Sequence, residues 1–94
     1  MTNKLSGSMI REIKFKIHDR IYSADNRNTN GWSRELNYVS WGGRNAKYDF
    51  RVWSPEHDKA GHGITFSDEE AEELYKALGH HIEQRKILSN GQEV

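Results

Sequence analysis

The chain has 94 residues, 14 of them basic and 14 acidic, with no cysteine and an apolar fraction of 34%. That length fits one domain, and the lack of cysteine excludes disulfides and thiolate metal sites. No apolar run reaches membrane-spanning length and the first ten residues lack the apolar centre of a signal peptide, so a soluble, cytoplasmic protein is expected. The thin apolar fraction makes a lone core small and a dimer plausible.

Charge is unevenly placed. Residues 1–66 carry 11 Lys and Arg against 7 Asp and Glu, whereas residues 67–94 carry 3 against 7. A basic strand-rich part and an acidic helical part point to one face directed at an anion.

Residues 1–9 are small and polar and read as a flexible tail before a domain over 10–86. Ile13, Phe15 and Ile17 alternate with Lys14, Lys16 and His18, the pattern of a half-buried strand. Its polar side is a basic row that Arg20 extends. Asn-rich residues 25–31 read as a loop. A second strand spans Trp32 to Trp41, with Leu36 and Tyr38 on one side and Val39 and Trp41 on the other. A bulge between Tyr38 and Val39 would bring both pairs inward. Gly42 to Asn45 form a tight turn.

The third strand starts at Lys47. Tyr48, Phe50 and Val52 share one side, and Lys47, Asp49, Arg51 and Trp53 the other, because side chains alternate with period two. Pro55 ends the strand. A polar turn follows, hinged at Gly61 and Gly63, and a fourth strand carries Ile64 and Phe66. Ser67 and Glu70 have the spacing of a capping box. Ala71, Leu74, Tyr75, Leu78 and Ile82 then form one helical stripe through Gly79, and residues 87–94 read as a frayed end. The expected fold is α+β: a curved four-stranded antiparallel sheet followed by one C-terminal helix.

Six of the ten aromatic residues lie between Trp32 and Trp53. They are interleaved with Arg34, Arg44, Lys47 and Arg51. Rings that stack on unpaired bases and cations that pair with phosphates suit a single nucleic-acid strand. Duplex readout would want an exposed basic helix, and the one helix here is acidic. Trp53 is expected on the outer, wet side with Lys47 and Arg51. Trp32 and Trp41 fit either the core or the site.

The remaining chemistry is sparse. His80 and His81 are adjacent, so they point about 100° apart on a helix and do not converge on one ion. No nucleophile motif and no glycine-rich phosphate loop is present. No enzyme activity, metal or cofactor is expected. Two rivals to nucleic-acid binding remain: a protein-interaction module using the acidic helix, and a nucleic-acid enzyme using the His57 loop and a metal.

The segments ELNYVSWGG and KYDFRVWSPEHDKAGHGITFSDEE resemble the positive cofactor four family of transcriptional coactivators, its bacterial YdbC-type branch above all. The resemblance covers Ile13 to Ile82. It implies a homodimer that binds single-stranded DNA, and melted or unpaired duplex, with little sequence preference. It implies nucleic-acid contacts from Lys47 and Arg51, stacking by Trp53, and a place near the site for Trp41. His62 stands where eukaryotic members carry a lysine, which weakens that cation near neutral pH. Leu74, Leu78 and Ile82 would form part of the dimer contact. The combined expectation is a nucleic-acid site of Lys14, Lys16, Trp32, Arg34, Trp41, Arg44, Lys47, Arg51, Trp53 and His62, with single-stranded DNA, or RNA, as ligand. The process served would be transcription regulation or DNA replication and repair, with the transcription machinery as a possible partner.

Overall fold

The computed structural model describes residues 14–24 and 29–93. Four strands, β1 (Phe15–Ser23), β2 (Ser33–Trp41), β3 (Lys47–Trp53) and β4 (Ala60–Phe66), precede one helix, α1 (Asp68–Glu93). The strands pair in chain order as a single antiparallel sheet. The α+β order read from the sequence is therefore the observed one. The expected tail over 1–9, Ile13 and residues 25–28 of the Asn-rich loop lie outside the described residues.

The pairing between β2 and β3 is regular from Ser33 opposite Trp53 to Val39 opposite Lys47. No bulge interrupts β2 there. The irregularities sit instead in β1, between Ile17 and Asp19 and between Arg20 and Tyr22, and again opposite Arg51 and Trp53. The β1 shifts change the phase of that strand. Phe15 pairs with Trp41 and Ile17 with Val39, and beyond the first shift Arg20 pairs with Asn37. Arg20 thus joins the side of Phe15 rather than extending the Lys14 and Lys16 row, because the extra residue inverts the alternation.

Gly42 and Gly43, with φ of 59° and 78°, turn the chain from β2 into β3. Gly61 and Gly63 lie within β4 and are not loop hinges. The reason at Gly63 is close approach: a Cβ there would stand 2.0 Å from the Cβ of Arg51. Only glycine lets β4 lie so near β3 at that point.

Ser67 caps the helix as its sequence predicts, its Oγ accepting the Glu70 N–H at 3.1 Å. Asp68 then anchors α1 to the sheet, taking a hydrogen bond from the Tyr38 hydroxyl at 3.1 Å. That bond raises the pKa of Tyr38, since ionising the hydroxyl would set two anions together. The helix lies on the side of Leu36, Phe50 and Ile64 and packs mainly against β3. It continues to Glu93 instead of fraying at Ile87. Residues such as Ser89 and Asn90 are only weak helix formers, a cost of a fraction of a kcal/mol each, and no proline stops the chain.

Gly79 lies in mid-helix with φ in the ordinary range, and an added Cβ would meet nothing within 4 Å. Gly79→Ala should therefore stabilise the fold by about 1 kcal/mol. Thermal unfolding should show a rise in Tm of several degrees.

Candidate nucleic-acid interface

The side of the sheet away from α1 carries Ser33, Glu35, Asn37, Val39 and Trp41 from β2, and Lys47, Asp49, Arg51 and Trp53 from β3. Phe15 and Ile17 of β1 join it through their pairing with Trp41 and Val39. Its centre is a floor of buried polar groups under a cluster of rings. The Trp41 and Trp53 indoles are nearly parallel at 5.9 Å. Phe15 sits 5.4 Å from Trp41 and 5.0 Å from Trp53. The His57 ring stacks on Trp53 at 5.3 Å.

This arrangement corrects the expected role of Trp53, which is 0% exposed. The parity that placed it opposite the helix is right, but that side is not wet at its centre. The rings fold over the polar floor and exclude water from it. Trp53 is thus a core residue, and the rings that solvent reaches are half-buried Trp41 and Phe15, the latter 36% exposed. Phe15 was legible only as core, because alternation alone put it opposite the basic row.

Two networks bind the carboxylates of the floor. Asp49 accepts from Arg51 Nε at 2.7 Å, from the Arg51 terminal nitrogen at 2.8 Å and from Trp41 Nε1 at 3.1 Å. Arg51 also donates to the Gly61 carbonyl at 3.1 Å, and its side chain is only 16% exposed. The expected phosphate ligand is therefore largely spent on protein groups. Glu35 accepts from Ser33 at 2.6 Å, Asn37 at 3.0 Å and His57 Nε2 at 2.9 Å. Facing a carboxylate, Nε2 is the protonated nitrogen. Arg20 Nη1 stands 3.4 Å from that same nitrogen. Two donors do not bond each other, so its attraction is to Glu35 Oε1 at 3.9 Å. Burial pushes the Glu35 carboxyl up, yet the hydrogen bonds from Asn37, Ser33 and His57 outweigh it and hold its pKa below the ordinary 4.5. These bonds also tie the β3–β4 loop, where His57 adopts a φ of 60°, to β2.

The predicted cations do not converge. Lys47 pairs with Val39 and so belongs to the ring side, and Arg44 is exposed in the turn after Trp41. Lys16 pairs with Ser40 and Arg34 with Val52, which puts both on the helix side. His62 shares a small pocket with Arg34 and Val52. Lys14 is exposed just before β1, its carbonyl bonded to the Gly42 N–H at 2.6 Å. Trp32 stands apart from the ring cluster, half-buried beside Gly61. The ring side thus gathers Trp41, Lys47, Arg51 and Trp53 and adds Phe15 and Arg20, while Arg44 lies in the turn that follows Trp41. Glu35, Asn37 and Asp49 were missed. Their signal was parity with Trp41 and Trp53, which marks a polar row on an inward face.

Among the described residues no group of three or more His, Cys, Asp or Glu side chains could hold a metal ion. No helix among them is long and apolar enough to cross a membrane. No protein-family model matches the chain. A stretch of 38 residues, 40% of the chain, is 55% identical to a protein of Treponema pallidum (strain Nichols) described as uncharacterized, and it spans 45% of that protein. The likeness is local and names no activity.

Two outcomes follow from the buried face. Trp53→Ala should cost about 3–5 kcal/mol of stability, as for a large ring removed from a core, read by urea unfolding. For Glu35, a folded pKa below the unfolded one means that its contribution is complete above about pH 4.5 and lost as pH falls further. Glu35→Gln should therefore be less stable than wild type near neutrality, by about 1–3 kcal/mol, and should lose less stability between pH 6 and pH 3.

Proposed function

We propose that the protein is a homodimeric, non-catalytic single-stranded-DNA-binding protein with little sequence preference, serving transcription or DNA replication and repair. The observation that carries this reading is the ring cluster on the sheet side opposite the acidic helix, with exposed Arg20 and Lys47 on that side and exposed Arg44 in the turn that follows Trp41. Phe15 and Trp41 offer partly open faces to unstacked bases, and these cations offer charge to phosphates. The resemblance to the positive cofactor four family points the same way. A duplex has its bases already stacked and paired, and the helix among the described residues is acidic at its start instead of a basic reader of a groove.

The dimer rests on the other side of the sheet. Among the described residues only Val39 and Trp53 are fully buried apolar side chains, a small core for this length. Between sheet and helix lies a groove of about 900 Å³, lined by Phe50, Ile64, Phe66, Leu74 and Leu78 among others. Leu74, Leu78 and Ile82 are exposed within the protomer. An apolar surface of this kind on a small domain marks an interface. A second copy meets it with the same patch, which a two-fold axis requires.

Equal lengths of single-stranded and duplex DNA, competed for the protein and followed by sedimentation, test both parts. A strong preference for the single strand at two protomers per complex is expected, and equal competition by duplex would refute it. If Arg20, Arg44 and Lys47 each meet a phosphate, a fourfold rise in salt should weaken binding about twentyfold. Phe15→Ala should cost about 1–3 kcal/mol of affinity.

A further inference from the structure

Asp49 is fully buried, so a ligand on the surface does not touch it. Its two oxygens take both Arg51 Nε and a terminal Arg51 nitrogen, the paired edge of the guanidinium that would otherwise clamp a phosphate. The same carboxylate accepts the Trp41 indole N–H. The guanidinium carbon stands 4.8 Å from the centre of the Trp41 ring. One carboxylate therefore ties a cation and an indole into a single unit, fixing the rotation of the ring through its N–H and supporting it with the guanidinium.

We infer that Asp49 is a positioning residue for the strand-binding face: it keeps Arg51 as a support for the Trp41 indole instead of a phosphate ligand, and so fixes the ring on which a base stacks. The inference rests on the function proposed above. It has a double consequence. Stacking depends on a residue that never meets DNA, and the charge of Arg51 is cancelled locally, so salt dependence comes from the exposed cations.

Asp49→Asn keeps the size of the side chain and removes its charge. A single carbonyl oxygen cannot accept from both Arg51 nitrogens and the indole. The ring then loses its anchor and the guanidinium is free to turn outward. Binding of fluorescein-labelled oligo(dT), followed by anisotropy across a salt series, should weaken about tenfold at physiological salt, the loss of one bond to a charged group. The logarithmic salt slope should steepen by about 0.7, one added phosphate contact. The Trp41 indole N–H should exchange faster with water in proton–nitrogen spectra. General loosening of the fold would weaken binding without steepening the slope, and that result would overturn the inference.

Affinity equal to wild type would also overturn it, and the proposed function would survive. Wild-type protein that fails to bind oligo(dT) would instead remove both together. If Asp49→Asn does not fold, benzothienylalanine at Trp41 replaces it, since this residue keeps the ring shape and lacks the N–H. Weaker binding is then expected, and unchanged affinity would refute the role of the bond.

Discussion

Trp53 pairs with Ser33, eight positions before Trp41 on the same strand, yet the two indoles lie 5.9 Å apart. Along a flat strand those positions would be about 26 Å apart. The sheet must bend sharply toward that side for the rings to meet, and the bulges of β1 supply local twist and curvature. The bend and the ring contact depend on each other. Closing the rings removes Glu35, Asn37 and Asp49 from water, and burial of charge is tolerable only with partners in place. Glu35 and Asp49 each receive at least three donors. Take away the donors and the face would have to open to rehydrate its carboxylates.

That constraint also shapes what the face can recognise under the proposed function. Its best-placed hydrogen-bonding groups are turned inward. Asn37 Oδ1 and Trp53 Nε1 are buried without a partner, and neither edge is presented to a base. What remains outside is ring surface and point charges on flexible stems. Stacking is tolerant because every base has a face, and a lysine amine does not distinguish one nucleotide from another. Under that function, low sequence preference would follow from where the polar groups went. Of the cations on that side, Arg51 is taken up by Asp49, while exposed Lys47 and Arg20 remain, the latter 3.9 Å from Glu35.

The fold was legible because its signals are local. Period-two alternation gave β3 its two sides, and the Ser67 cap with its acidic first turn gave the start of α1. The site was only half legible. Parity placed Trp41, Lys47, Arg51 and Trp53 together, but parity does not say which side of a sheet closes. An exposed reading of Trp53 assumed that charged neighbours imply water. Here the polar groups are neighbours of each other: Asp49 pairs with Arg51, and Glu35 accepts a hydrogen bond from His57, both under the rings. Arg20, Lys16 and Arg34 failed for another reason. A single inserted residue in β1 swaps sides, and side assignment between strands needs a register that sequence alone does not carry.

The two sides of the sheet differ in what would complete them. The ring side buries its carboxylates within one protomer, each with its own donors. The helix side leaves apolar side chains exposed. Its apolar groove is lined by Phe50, Ile64 and Leu78, and α1 runs on to Glu93, well beyond the sheet it starts from. A helix of this length, about 39 Å, reaches beyond its own sheet, and stripe residues such as Ile82 stay exposed among the described residues. Removing that surface from water favours association at about 25 cal/mol per Å². Because α1 stands on the far side from Phe15 and Trp41, pairing through it leaves the ring face open on each copy. Two such faces, fixed at one spacing, would let a single strand engage both protomers, with the second contact gaining from the first through its high local concentration.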